Sequence, residues 1–339
     1  VKRGALVFWG GLGCSSALLV LLLRKIDLAS LLDALGRLDL GYLTAAILLT
    51  FFSYWLRAVR WRYLLILERP LPLSSLYAAT VIGYMANNLF PARLGEFIRA
   101  WVLAHREQLP GATVFASLVI DRLFDGMSVM VMLALVLLSL QLPPDMEQAA
   151  LMLRVGGLSA LGFYLAVMSV LVLLKLRPVA TLRVVGALLR PFPQGVSERV
   201  IPLAGNFLAG VRLSRNSKHL LAILGSSLLI WISATLPIQL ILYGFGIHLP
   251  LTVSFFIMVL LVFAVMVPAA PGYIGTYHLA CYTGLAAFGL SDSQAVSIAL
   301  VVHGVGFFPV ILAGLLHVWQ QGISLGALRR QASGEEKSG

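Results

Sequence analysis

Across 339 residues the chain is 60% hydrophobic and 12% charged, with a mean hydropathy of +0.94. Soluble domains carry about 25% charged residues, so a water-soluble fold is excluded and lipid is the solvent for most of the chain. The net charge of +11 sits in short loops between apolar stretches, which argues against nucleic acid and for topology signals and contacts to anionic headgroups.

Cys14 and Cys281 both lie in apolar runs. Neither a disulfide framework nor a metal site is indicated, and no cofactor is implied. Lys2 and Arg3 precede a first span predicted over 4–23. Gly11-Leu12-Gly13-Cys14 has a faint likeness to a lipoprotein cleavage box. The apolar run continues through Leu23, however, as in a signal anchor or first span. In 24–40, Ile26, Leu31, Leu32, Leu35 and Leu38 recur at helical spacing against Asp27, Asp33, Arg37 and Asp39. That pattern predicts an interfacial amphipathic helix.

A second span is predicted over 41–67. Its end carries Arg57, Arg60, Trp61, Arg62 and Tyr63, which read as a headgroup-level belt on the cytoplasmic side. Arg57 and Arg60, at helical spacing, are also suited to hold a lipid phosphate. Residues 74–105 follow as two short helices around a break, Asn87-Asn88-Leu89-Phe90-Pro91-Ala92-Arg93-Leu94-Gly95-Glu96-Phe97-Ile98-Arg99. Neither half offers the ~20 apolar residues of a full span. The stretch 112–140 is a long span with Asp121, Arg122 and Asp125 in its first third. The connector 141–148 has two acids and no Lys or Arg.

A further span is predicted over 149–174. The loop 175–218 is the most basic in the chain, and Leu182, Val185, Leu188 and Leu189 give it an apolar face suited to the membrane surface. Residues 220–243 form a span with Pro237 and Gln239 near its middle. Helices over 251–267 and 276–288 flank a second break, Val267-Pro268-Ala269-Ala270-Pro271-Gly272-Tyr273-Ile274-Gly275-Thr276-Tyr277-His278. The last span, 293–318, is interrupted by His303 and Pro309, and the tail is polar.

Loop charge orders these elements. With both termini cytoplasmic and each broken segment returning to its own side, the basic loops 57–72, 91–110 and 175–218 fall inside. Those at 141–148 and 244–250, without Lys or Arg, fall outside. Residues 24–40 also fall outside, with balanced charge. The expected fold is therefore all-α: a polytopic transmembrane helical bundle of about six full spans plus two re-entrant broken-helix pairs. It forms one domain, 1–330, with inverted repeats at about 1–140 and 149–322 and a tail at 331–339. The expected location is the cell (inner) membrane. Nothing in the sequence sets an oligomeric state.

Irregular backbone at membrane depth is tolerated only inside protein or beside a water-filled cavity, so the two breaks are the candidate site. Pro91 frees a carbonyl and Gly95 permits close approach. The half-helix starting near Ala92 or Arg93 favours an anion at its N-terminus, and Arg93 and Arg99 add positive charge. Gly272, Gly275 and Thr276 can form a similar nest of N–H groups. Glu96 needs a partner at this depth, from Arg93, Arg99 or Arg122. Asp121, Arg122 and Asp125 read either as an ion-pair network joining two helices or as part of a phosphate site. In the latter, Arg93 and Arg122 bind and the carboxylates orient them. His278 is placed to meet a headgroup or carry a proton. His303 and Gln239 are intramembrane polar groups with packing or binding roles, and Asn87 and Asn88 either cap broken backbone or contact ligand.

Asn88-x-x-Pro91-x-Arg93-x-Gly95-Glu96-x-x-Arg99, then Asp121-Arg122-x-x-Asp125, then Pro271-Gly272-x-x-Gly275, resemble the lysylphosphatidylglycerol synthase transmembrane family, also called the flippase-like domain. Arg57-x-x-Arg60-Trp61 fits its early arginine–tryptophan element. The resemblance covers almost the whole chain. It departs at Asp121, where the family commonly has Glu, and at Tyr273 and His278, where it commonly has Gly and a downstream Glu. The resemblance implies movement of a lipid headgroup between leaflets; in bifunctional members the lipid is aminoacylated phosphatidylglycerol made by a fused synthase domain. Only a short tail follows the last span here, so no such domain is expected. The expected partners are membrane lipids with an anionic or phosphate-bearing headgroup, and a separate lipid-modifying enzyme. The competing reading is an enzyme acting on a lipid-linked phosphate or sugar, with Asp121 and Asp125 on a divalent metal and His278 as acid or base. A non-transporting partner of such an enzyme is the third. There is no aspartate-rich metal motif, nucleophile elbow or nucleotide loop to favour the enzyme.

Overall fold

In lipid, each backbone N–H and C=O must find its partner within the protein, which favours helices throughout. The computed structural model describes residues 35–36, 38–67, 69–90, 94–139, 155–166, 177–189, 217–266 and 271–323, with a few isolated positions besides. Its regular structure over these residues is entirely helical. In order these are α1 (Leu40–Leu64), α2 (Leu73–Leu89), α3 (Gly95–Glu107), α4 (Gly111–Ser139), α5 (Val155–Ala166), α6 (Pro178–Leu189), α7 (Ser217–Gly244) and α8 (Leu251–Met266). A 3₁₀ turn at Pro271–Tyr273, α9 (Thr276–Ala286) and α10 (Asp292–Gln320) complete the series.

α1, α4, α7 and α10 have 25 to 29 residues each and are apolar enough to cross a membrane. At 1.5 Å per residue each exceeds the ~30 Å hydrocarbon core. The protein is thus a polytopic integral membrane bundle. The span expected at 4–23, nearly all of the amphipathic 24–40 stretch and the connector 141–148 lie outside the described residues. The span expected over 149–174 is described mainly as α5, and the basic loop mainly as α6.

Start signals are visible in side chains. Asp39 Oδ1 accepts the Gly41 N–H at 2.7 Å ahead of α1. Ser291 and Gln294 form a reciprocal capping box at α10. The last span is continuous, which corrects the expected interruption: Pro309 sits inside α10 and His303 is one of its helical residues. Pro237 is likewise inside α7. A proline can stay within a membrane helix because neighbouring groups satisfy the backbone it frees.

α1 shows how lipid inverts the usual amphipathic pattern. Leu48, Phe52 and Trp55 are exposed, whereas Ser53, Arg57, Arg60 and Trp61 are buried. On α10, Phe308, Leu312, Leu316 and Trp319 are the exposed face. Of the short helices beside the breaks, α2 is covered by protein and is buried at most positions from Ser75 to Ala86.

Small residues bring backbones together where the broken helices pack. A Cβ on Gly83 would come within 2.7 Å of Arg99 Cβ, and one on Gly95 would collide with the Gly83 carbonyl. Gly314 of α10 lies against Met85 of α2 in the same way. Small residues at such crossings are the usual means of close helix approach in lipid.

The packing has a regular pattern. α2 packs on α3 and α10, and α8 packs on α9 and α4. α1 lies along α7. The pairs α1–α2, α3–α4, α1–α10 and α1–α4 have counterparts in α7–α8, α9–α10, α7–α4 and α7–α10. Exchanging α1–α4 with α7–α10 therefore maps each of these contacts onto another that exists.

Candidate functional site

The polar centre is built where α1, α3, α4 and α7 meet. Arg57 and Arg60 are one turn apart on α1; Asp121 and Asp125 are one turn apart on α4. The two rows face each other, which lets both pairs form at once. Arg60 donates through Nε to Asp121 Oδ1 at 2.8 Å and through Nη2 to Asp125 Oδ1 at 2.7 Å. Its Nη1 donates to Ser227 Oγ of α7 at 3.0 Å. Arg57 Nη1 donates to Asp125 Oδ2 at 3.0 Å. Trp231 Nε1, one turn beyond Ser227, donates to Asp125 Oδ1 at 3.2 Å. From α3, Arg99 Nη1 reaches Asp121 Oδ2 at 3.2 Å, and its guanidinium lies 4.1 Å from the Trp61 ring centre. Trp61 Nε1 is fixed by Ser117 Oγ at 2.8 Å.

Arg122 closes the cluster. It bonds Asp121 Oδ2 at 3.1 Å and Asp125 Oδ2 at 3.1 Å, and approaches Glu96 Oε1 at 3.6 Å. Four arginines thus meet three carboxylates, an excess of one positive charge. Arg60 and Asp121 are fully buried. Ions are removed from water only at large desolvation cost, so partners on several sides are required. The satisfaction is incomplete among the described residues: Arg99 Nε and Nη2, Arg122 Nε and Glu96 Oε2 are buried and have no hydrogen-bond partner.

This geometry corrects the belt expected at the end of the second span. Arg57, Arg60 and Trp61 are buried in the bundle, facing α4 and α7, and are not presented to lipid. The two aspartates on α4 supply the compensation that keeps the arginines inside.

A cavity of about 260 Å³ opens beside the cluster. Arg57 is in its wall, so the charged centre and the cavity share that residue. Asn87 and Asn88 bring the first break to it; Tyr273 and Tyr277 bring the second, and His303 reaches it from α10. Asn87 Oδ1 accepts the Gly95 N–H at 2.8 Å, joining the end of α2 to the start of α3. Arg57 also sits 5.5 Å from the ring centres of Tyr84 and Trp231.

At the second break, Gly272 adopts φ 72° with Phe307 against its Cα, so a side chain there would be both strained and obstructed. The His303 Nε2–H donates to the Gly272 carbonyl at 2.8 Å. The Gly275 N–H donates to His278 Nδ1 at 3.3 Å, and Thr276 Oγ1 donates to the Tyr273 carbonyl at 3.3 Å. The rings of His278 and His303 are 4.6 Å apart, edge to face. The Gly275 N–H that was a candidate nest donor is therefore met by the chain's own imidazole.

The sequence candidates thus divide by place. Glu96, Arg99, Asp121, Arg122 and Asp125 join Arg57 and Arg60 in the cluster. Asn87, Asn88 and His303 line the cavity. Gln239 does neither: its amide donates to the Leu249 carbonyl and accepts from Ser254, tying α7 to the start of α8. Arg93 lies outside the described residues. Sequence reasoning missed Tyr54, Tyr84, Trp231 and Tyr277 in the cavity wall, and Ser117 and Ser227 as anchors. The Ser227/Trp231 pair, polar groups one turn apart in an apolar helix, was the available signal.

Comparison with known proteins bears on the family of the chain. The family described as the lysylphosphatidylglycerol synthase TM region matches residues 8–314. The glycosyltransferase AglD of Haloferax volcanii is 26% identical over 334 residues, covering 91% of this chain and 53% of AglD. The chain thus spans about half the length of that relative. A UPF0104 membrane protein of Methanothermobacter thermautotrophicus is 24% identical over 299 residues, covering 84% of this chain and 86% of the relative. No solved structure matches the chain. With the family match extending over most of its length, the chain belongs to the lysylphosphatidylglycerol synthase transmembrane-region family.

Proposed function

We propose that the chain is a lipid translocator. A phosphate-bearing headgroup enters the cavity between the two broken helix pairs while its acyl or prenyl tails remain in lipid. The observation that carries this reading is Arg57, which belongs both to a buried cluster with excess positive charge and to the cavity wall. The unmet donors of Arg99 and Arg122 also favour an anion near the cluster. Phosphate, with several acceptor oxygens, is the natural partner for arginine donors.

In this reading α2/α3 and α8/α9 are re-entrant pairs in inverted halves. The exchange pattern among the helix contacts supports the repeat, and transporters built from inverted repeats hold substrate between broken helices. The first pair enters from the cytoplasmic side and the second from outside. Both termini are cytoplasmic.

The test is movement of a fluorescent phospholipid in proteoliposomes made with Arg57→Ala, Arg93→Ala and Glu96→Ala proteins. Each variant is first checked for a monodisperse elution profile. Loss of movement in folded variants is expected, and wild-type rates in all three would overturn the site.

A second reading is an enzyme, or a partner of one, acting on a lipid-linked phosphate or sugar. The similarity to a protein named a glycosyltransferase favours it. Against it, Asp121 and Asp125 are each held by arginines and are poorly placed to take up a metal. Mass spectrometry of lipid incubated with the pure protein separates the readings, since only an enzyme yields a new product.

A further inference from the structure

The cavity carries chemistry that the arginine cluster does not explain. Among the described residues that line it, Arg57 is the one permanently charged side chain, and no carboxylate is present. By sequence, neither 87–94 nor 267–278 contains an acid. Tyr54, Tyr84, Trp231, Tyr273, Tyr277 and Phe307 make the walls aromatic.

Aromatic walls suit cations as well as apolar ring faces. Here, however, a cation is already in place: the Arg57 guanidinium lies by the rings of Tyr84 and Trp231. Its partner Asp125 is shared with Arg60 and Arg122, and the cluster keeps one positive charge in excess, so a second cation in the cavity would be repelled. A neutral group is favoured.

The polar lining specifies that neutral group further. Thr50 and Ser53 donate their hydroxyl protons to Ala46 and Thr50 carbonyls, at 2.9 and 2.8 Å. Their oxygens are left as acceptors. Asn87 has its carbonyl oxygen on the Gly95 N–H, and its amide N–H groups remain as donors. Acceptors and donors side by side suit hydroxyl groups, which do both. Arg57 uses Nη1 on Asp125, and its Nε and Nη2 have no partner among the described residues. They are suited to a phosphate oxygen. The volume of about 260 Å³ is below the ~300–1,000 Å³ typical of drug-sized sites, which favours a single compact ring.

We infer that, granted the translocator reading, the cavity takes a phosphodiester-linked polyol or monosaccharide headgroup and rejects cationic, aminoacylated headgroups. Phosphate sits on Arg57, ring C–H faces lie on the aromatic walls, and hydroxyls meet the Asn, Ser and Thr groups. A glycerolipid and a prenyl carrier can both present this chemistry.

Native mass spectrometry of the full chain with three lipids tests the assignment: phosphatidylinositol, glucosyl-phospho-polyprenol and lysylphosphatidylglycerol. One or both hydroxyl-rich lipids should bind about ten-fold or more tighter than lysylphosphatidylglycerol. Preference for phosphatidylinositol alone assigns a glycerolipid source; preference for the glucosyl lipid alone assigns a prenyl carrier. Equal or tighter binding of the lysyl lipid overturns the inference, as does failure of both hydroxyl-rich lipids to bind. Asn88→Asp, a near-isosteric change in the wall, adds the missing carboxylate and should reduce the preference towards parity. An unchanged preference would remove the headgroup from this cavity. The same lipids are then followed in proteoliposomes. Selective binding without transbilayer movement keeps the headgroup class and removes the translocator. Movement of the lysyl lipid alone keeps the translocator and overturns the headgroup class.

Discussion

Arg60 and Asp125, 65 positions apart in sequence, meet at 2.7 Å with the arginine fully enclosed. Arg60 also holds Asp121 and Ser227, so one side chain links α1, α4 and α7. Truncating one partner of a buried ion pair leaves the other charge without compensation, at about 3–5 kcal/mol. Arg60→Ala should therefore reduce the yield of folded protein sharply and lower its melting temperature in detergent. Arg60→Lys keeps the charge but loses the planar fork that reaches two carboxylates and a hydroxyl, and should recover only part of the loss. Wild-type melting in Arg60→Ala would show that the three helices are held by apolar packing alone.

Arg57 separates stability from transport. It reaches Asp125 through one nitrogen only and lies in the cavity wall. Asp125 keeps Arg60, Arg122 and Trp231 when Arg57 is changed. Arg57→Gln should melt closer to wild type than Arg60→Ala, yet lose at least as much headgroup movement. The paired comparison of melting curves and scrambling rates checks this. Equal melting losses in the two variants would make Arg57 a purely structural member of the network.

The helices and both breaks were legible because Pro, Gly and Asn interrupt long apolar runs, and lipid leaves few other ways to place such residues. The cluster was only half legible. Asp121, Arg122 and Asp125 stand out in an apolar span, and Arg122 is one of three candidate partners that the sequence offers Glu96. Arg57, Arg60 and Trp61 misled because arginine and tryptophan near a span end are also the signature of a membrane interface. What decides between the two is whether acids on another helix face them. Matching one-turn spacings in Arg57/Arg60 and Asp121/Asp125 hinted at it, but a separation of 61 to 68 positions gives no local sign of contact. The cavity's aromatic residues were invisible for a different reason: a tyrosine in a membrane helix is equally at home in a core or at an interface.

The α2–α3 crossing should be intolerant of a methyl group. Gly95 lies against Gly83 and Asn87, and Gly83 lies against Arg99. Overpacking a close contact costs about 1–3 kcal/mol. Gly95→Ala should exceed Gly83→Ala in effect, because the former runs into the Gly83 carbonyl head-on while the latter meets Arg99 Cβ at 2.7 Å and the Gly95 carbonyl at 3.0 Å. Both should lower the melting temperature, and Gly95→Ala should also displace the Asn87 cap. Gly304, where the nearest atoms lie 3.7 Å or more away in the Phe308 ring, is the control site, and Gly304→Ala should melt near wild type.

Glu96 tests whether the cluster's charge serves the headgroup. Its Oε1 is 3.6 Å from Arg122 with a quarter of the side chain exposed, and its Oε2 has no partner among the described residues. A pair this loose contributes on the order of 0–1 kcal/mol, so Glu96→Gln should barely move the melting curve. It does, however, raise the cluster's excess from one positive charge to two. An anionic headgroup should then be captured more tightly and released more slowly. The expected result is saturation at lower lipid concentration with a lower maximal rate of movement, read from initial rates across a lipid titration. A melting curve and a rate profile both like wild type would mean that the headgroup does not sense this charge, and would leave Arg57 and the cavity wall to account for capture without it.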